Sequence, residues 1–358
     1  MTMNGKRKKW KRAAALILGV LILLAASVLL TASGMIQKGR HSLEEPGAYL
    51  EEAVQPFPDG AQISLDGEQY EYRDGLINIL CLGIDGRGKA EENTEVGFGP
   101  RADCIVLAVV DTKANTLTLL NISRDTVTPI RWFDSRGKEI GLYDYQLGLQ
   151  YTMGDGLGTS CEMMEEAVSR MLGGIPIHGY CAVYWGAVSA LQEVTGPVTV
   201  TIPEELRELD LYHFLEGGEV ELTPEQAQIF VQGRDIGQTG SNETRMLRQQ
   251  EYMQAMYQKI KEKLKRNPFY IFSMEKAVEE YLVTDLEKEE ILALAWQAAG
   301  TSGEELSMIT VPGETVDTMF QDEFHVDQEG LSEILAELFY EKKGLGKSQT
   351  REILRQKP

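Results

Sequence analysis

Arg101 and Asp103 stand either side of Ala102, directly before the apolar run "CIVLAVVD" (104–111). A run of that length and content predicts a buried strand. A guanidinium and a carboxylate at the mouth of a strand have two uses. They can be solvated ion pairs, each worth about 0–1 kcal/mol, or parts of a site for a metal ion or an anion. Further residues of the same types lie close by. Asp85 ends the apolar run "LINILCLGID" (76–85), and Arg124 and Asp125 follow "TLTLLNIS" (116–123). Two aspartates suit a hard cation such as Mg²⁺, which takes one or two carboxylates and completes its shell with substrate phosphates. Arginines beside them suit phosphate oxygens, because the guanidinium fork donates paired, charge-assisted hydrogen bonds.

Strand pairing is what would bring these residues together. "TKAN" (112–115) predicts the tip of a hairpin, so Asp103 and Arg124, equidistant from it, face each other across the ladder. A glycine-rich loop, 86–100, joins the preceding strand to this hairpin. Antiparallel neighbours then gather Asp85, Arg87, Arg101, Asp103, Arg124 and Asp125 at one end of a sheet, provided the register holds. A long helix, "TRMLRQQEYMQAMYQKIKEKLKR" (244–266), adds Arg245, Arg248, Gln249 and Tyr252 on one face. Met246, Met253, Tyr257, Ile260 and Leu264 form a separate apolar stripe that can seat it. Arg234 and Asp235 lead into its first turns, where free N–H groups and the helix dipole favour anions. Taken alone, this face is either solvated or part of an anion site.

The chain has 358 residues and a net charge of −20, which argues against a nucleic-acid partner. Residues 1–12 are basic and residues 13–36 uncharged. Twenty-four helical residues span about 36 Å, so the expectation is a transmembrane anchor, with a cytoplasmic N-terminus and the rest outside the cell. Residues 37–75 are polar and acidic, with Pro46, Pro56 and Pro58, and suggest a stalk. From 76 to 340 strands and helices alternate without a linker, which predicts one α/β domain, an α/β/α sandwich with a mixed sheet. A basic, polar tail covers 341–358. Cys81, Cys104, Cys161 and Cys181 show no metal-ligand spacing, and the four histidines are scattered.

The ordered blocks "NILCLGIDGR", "PRADCIVLAVVDTKANTLTLLNISRDT", "LGGIPIHGYCAVYWGAVSALQEVTGPVTVTIP", "LTPEQAQIFVQGRD" and "TRMLRQQEYMQAM" together resemble the LytR-CpsA-Psr family of bacterial cell-envelope enzymes. The resemblance covers about 76–340. It implies a phosphotransferase that moves an anionic glycopolymer (teichoic acid, capsule or another glycan) from a polyprenyl pyrophosphate carrier to peptidoglycan. It also implies that Asp85 and Asp103 hold Mg²⁺, and that either could take the acceptor's proton. Arg101, Arg124, Arg234, Arg245 and Gln249 would bind or polarise the pyrophosphate, supported by Arg248 and Asp125. Asp103, Arg124 and Arg245 would be the catalytic centre. The chain departs from the family pattern at Gln146 and Gln232, where cations are usual. A non-catalytic, envelope-regulating binder of polyprenyl phosphate lipids and a pyrophosphatase on the same carrier are the alternatives.

Overall fold

The computed structural model describes residues 31–44, 62–65, 68–86, 88–93, 95–209, 214, 217–235, 237–301, 306–319 and 321–342. Its centre is a six-stranded mixed sheet in the order β11 (Leu282–Thr284), β8 (Tyr180–Tyr184), β3 (Leu76–Ile84), β4 (Ala102–Asp111), β5 (Thr116–Ile122) and β12 (Ser307–Thr310). β3, β4 and β5 are its antiparallel middle, at the positions the apolar runs predict. β8 lies parallel to β3, and β12 lies parallel to β5. β11 closes one edge, antiparallel to β8.

Both faces of the sheet are covered, which is why its central strands are apolar throughout rather than alternating. Leu80, Leu82, Ile84, Ile105, Leu107 and Leu120 face a core shared with α2 (Gly158–Met171) and α9 (Gln328–Phe339), through residues such as Met164, Val168 and Leu338. On the other face Ile77, Ile79 and Val110 pack with Leu43 and, at the margin, with Leu294 of α8 (Lys288–Gly300). A second core joins α3 (Gly186–Thr195), β9 (Thr199–Ile202), α5 (Pro224–Gln232) and the long helix α6 (Ser241–Arg266). Trp185, Phe230, Tyr252 and Met256 lie within it. α5 starts as its sequence predicts, with Thr223 and Gln226 forming a reciprocal capping box. The expected mixed-sheet α/β domain is therefore what forms.

Two expectations about the N-terminal region change. Among the described residues no helix is long and apolar enough to cross a membrane, so the single-pass placement expected from the sequence is not supported. Residues 1–30, which hold most of the uncharged segment, lie outside the described residues. Its last residues belong to a helix over 31–44 (α1) that lies against the domain. There Leu43 is buried, Lys38 pairs with Glu289 at 3.1 Å, and a side chain at Gly39 would collide with the Glu289 carbonyl. The second change is at the stalk. β2 (Glu68–Tyr72), within it, pairs with β1 (Gln62–Leu65) and with β15 (Tyr340–Lys342), the last strand among the described residues. This small sheet is tied to the main one by Arg73, whose guanidinium meets Asp111 at 2.9 Å where both are buried. The folded unit thus begins before residue 76.

His178 fixes the entry to β8. Its Nδ1 accepts the Asn78 N–H at 3.0 Å, and its own backbone N–H donates to Asn78 O at 2.7 Å. An accepting ring nitrogen carries no proton, and burial lowers the His178 pKa from 6.5 to about 4. Between those values the unfolded chain binds a proton that the folded chain does not, so stability falls as the pH drops from 6.5 towards 4. A His178→Gln protein, unfolded in urea at pH 7 and pH 5, should lose less stability on acidification than the natural chain. Equal losses would contradict the assignment.

Candidate functional site

β3 and β5 end, and β4 begins, at the same edge of the sheet. The β4–β5 ladder pairs Ile105 with Ile122, and its continuation sets Asp103 opposite Arg124, the register read from the hairpin. On the other side the pairing passes from Gly83–Cys104 to Ile84–Ala102, leaving Asp103 as the extra residue of a β-bulge. A bulge re-aims the side chain it carries. The sheet accommodates it because residue 83 is glycine, where a Cβ would sit 2.9 Å from that of Cys104. Asp85 continues from β3 and donates its N–H to Arg101 O at 2.8 Å.

The bulged Asp103 is 5% exposed and is held by arginines from two elements. Arg124, just past β5, pairs with its Oδ1. Arg245, from the second turn of α6, donates to its Oδ2 at 2.5 Å and to its backbone carbonyl at 3.3 Å. Asn242 takes a third Arg245 hydrogen bond at 2.8 Å and is itself fixed by donating to Ser123 Oγ at 3.1 Å. α6 reaches this position through Gly240, whose φ of 75° is the left-handed region that glycine tolerates. Asp125 gives Arg124 its second carboxylate, with Nε to Oδ1 at 3.3 Å. Burial pushes the Arg124 pKa down to about 10, opposed by Asp125 and reinforced by Arg245 and Arg234. It therefore stays charged at neutral pH. Burial lowers Arg245 and Arg234 as well.

Beside this clamp opens a cleft of about 490 Å³. Arg101, Arg124 and Arg234 contribute its cations, with Asp125, Gln146 and Ser241 also on its surface. Neither Arg101 nor Arg234 has an ion-pair partner among the described residues. The opposite wall is one that the sequence reading missed. The hairpin of β13 (Gly313–Asp317) and β14 (Asp322–Val326) folds over the sheet edge and contributes Asp317, Thr318, Gln321 and Asp322. Phe324 N–H on Asp125 O (2.8 Å), Thr239 Oγ1 on Asp317 (3.1 Å) and Gly240 N–H on Asp322 Oδ2 (3.1 Å) anchor it. Alternation along 315–326 was a legible hairpin signal, but nothing local says which sheet edge the hairpin covers.

The expected site residues thus divide. Arg101, Asp103, Arg124, Arg234 and Arg245 converge. Asp85 is exposed near them, its Oδ1 accepting from Trp185 Nε1 at 3.3 Å. Arg87 lies outside the described residues. Arg248 and Gln249 do not line the cleft. Arg248 donates to Gly233 O, with its Nε 3.9 Å from Glu205, and Gln249 donates to Val231 O at 3.1 Å. Both secure the end of α5, hence the segment that carries Arg234. Gln232 meets Gln228 at 3.4 Å, away from the cleft wall. For Mg²⁺, Asp85 has the chemistry of a ligand and an open position. Asp103 in this arrangement does not, because an arginine holds each oxygen. Among the described residues no cluster of three His, Cys, Asp or Glu side chains could hold a metal.

The clamp makes a stability prediction. Asp103→Asn leaves two buried guanidinium groups short of a countercharge and should cost about 3–5 kcal/mol in urea unfolding. A loss under about 1 kcal/mol would show that the arginines do not depend on it.

Residues 51–340 match the LytR_cpsA_psr family. Among curated proteins, the polyisoprenyl-teichoic acid–peptidoglycan teichoic acid transferase TagU of Bacillus cereus is 28% identical over 183 residues, 51% of this chain and 52% of that protein. A TagU from another Bacillus cereus strain is 27% identical over 59% of this chain and 61% of its own length. The chain therefore spans between half and two thirds of these relatives. Solved structures share the fold: TagT bound to LIIa-WTA has a TM-score of 0.55 at 21% identity, over 77% of this chain and 97% of that one. A Streptococcus agalactiae protein, gbs0355, has a TM-score of 0.58 at 18% identity, over 79% and 89%. With four-fifths of its length inside the match, the chain belongs to the LytR_cpsA_psr family.

Proposed function

We propose that this protein is a glycopolymer transferase that moves an anionic polymer of the teichoic acid type from a polyprenyl pyrophosphate carrier to peptidoglycan. The observation that carries the reading is the cation wall, Arg101, Arg124 and Arg234, on a cleft large enough for more than a pyrophosphate. The teichoic acid–peptidoglycan transferases among its relatives support the substrate class.

In such a transfer an acceptor hydroxyl attacks the phosphorus bearing the polymer, its proton passing to the exposed Asp85 carboxylate and on to water. The bond to the second phosphate breaks, and polyprenyl phosphate leaves. Little covalent chemistry falls to the protein; positioning and charge neutralisation do the work. Arg124 is already oriented by Asp103 and Asp125, so it meets phosphate oxygens without reorganising. Arg101 and Arg234 supply charge on either side. Arg245 acts through Asp103 rather than by touching substrate, since it is 2% exposed. Mg²⁺ held by Asp85 together with phosphate oxygens would supply further neutralisation of the pyrophosphate.

Purified protein given a polyprenyl pyrophosphate-linked teichoic acid precursor and peptidoglycan should join the polymer covalently to the peptidoglycan. Arg234→Ala, which removes a charged donor from the phosphate site without touching the clamp, should weaken transfer about tenfold to a hundredfold, chiefly through donor KM. Phosphate release with no sugar acceptor present would identify a pyrophosphatase instead. Retained lipid with no transfer would identify a binder.

A further inference from the structure

The walls of the cleft differ in more than charge. Gln146 lines it and is only 5% exposed. Its Nε2 donates twice, to Asp125 Oδ1 at 2.9 Å and to the Asp322 backbone carbonyl at 2.7 Å. Both partners are pure acceptors, so the amide can sit only one way round, with nitrogen towards them and Oε1 away. Oε1 receives no hydrogen bond from any described residue. Asp322, the neighbouring lining residue, spends Oδ2 on the Gly240 N–H at 3.1 Å and has no partner at Oδ1 among the described residues. An amide carbonyl and a carboxylate oxygen thus lie on neighbouring lining residues, where Gln146 bridges Asp125 and the hairpin that carries Asp322. Both oxygens open on the cleft, where a ligand that supplies donors can replace water at each.

A phosphate cannot be that ligand, because its oxygens are themselves acceptors and Asp322 and Asp317 carry like charge. A neutral molecule rich in hydroxyl or amide N–H groups fits. The volume agrees: about 490 Å³ is within the range of small-molecule sites, roughly 300–1,000 Å³, and exceeds what the arginines need for phosphates alone.

We propose that Gln146 Oε1 and Asp322 Oδ1 form the subsite for the acceptor sugar, receiving hydrogen bonds from its hydroxyl or N-acetyl N–H groups, while the arginine wall takes the phosphates. This rests on the transferase reading of the cleft. It gives the Gln146 position a function: a cation there could cancel charge on Asp125 but would present no acceptor to a sugar.

Direct binding keeps the test separate from turnover. The full chain is titrated with an uncrosslinked peptidoglycan disaccharide-peptide and, separately, with inorganic pyrophosphate. The natural chain should bind both. Gln146→Met, close to isosteric, and Asp322→Asn, which keeps an oxygen for the Gly240 N–H, should each weaken the saccharide about three- to tenfold and weaken pyrophosphate clearly less, the Gln146 variant touching it only through Asp125. No saccharide binding by the natural chain, unchanged binding in both variants, or equal loss of both ligands would overturn the subsite. Transfer by the natural chain with unaltered saccharide affinity in both variants would overturn the subsite while sparing the transferase reading. Saccharide binding that responds to both variants, in a chain that never transfers, would sustain the subsite and reject the transferase reading.

Discussion

One carboxylate between two arginines is the constraint on which the rest of this site depends. Asp103 lies almost out of water, and desolvating a charge is costly unless close, well-oriented partners offset it. Arg124 and Arg245 provide that offset, but two guanidinium groups exceed one carboxylate, and Asp125 only restores the balance. Adding Arg101 and Arg234, one wall of the cleft presents an excess of positive charge within a protein of net charge −20, faced by Asp317 and Asp322 on the other. Such a local reversal, fixed by folding rather than assembled on binding, is what an electrostatic phosphoryl-transfer site requires. It also joins the layers of the domain, since Asp103 comes from the sheet and Arg245 from α6.

Much of this was legible in the sequence because it depends on short-range rules. The apolar runs located β3, β4 and β5, and the hairpin length fixed the Asp103–Arg124 register. The capping box located the start of α5. The bulge was not legible: a single extra residue leaves the pattern of the run intact, and only the glycine at 83 hints at the close approach. Helical spacing correctly grouped Arg245, Arg248 and Gln249 within about 6 Å along the helix axis, but neighbours on one face can still meet different elements. Arg245 turns to Asp103, while the next two side chains hold the end of α5.

The β13–β14 wall shows a different limit. Its residues lie nearly two hundred positions after Asp125 and reach it because β12 adds in parallel beside β5. Topology, not local pattern, places Asp322 against Gln146. The same holds at the other end of the chain, where residues that looked like a stalk pair with β15, the last described strand. Composition identified residues 37–75 as polar but could not show that part of their backbone was paired.

The central claim is that the folded protein already holds a phosphate-binding wall in place. The most direct measurement is a structure of the full chain with inorganic pyrophosphate. The account predicts phosphate oxygens within about 2.7–3.2 Å of guanidinium nitrogens of Arg101, Arg124 and Arg234, with Arg245 still on Asp103. Pyrophosphate bound on another surface, or absent from this cleft at saturating concentration, would contradict it.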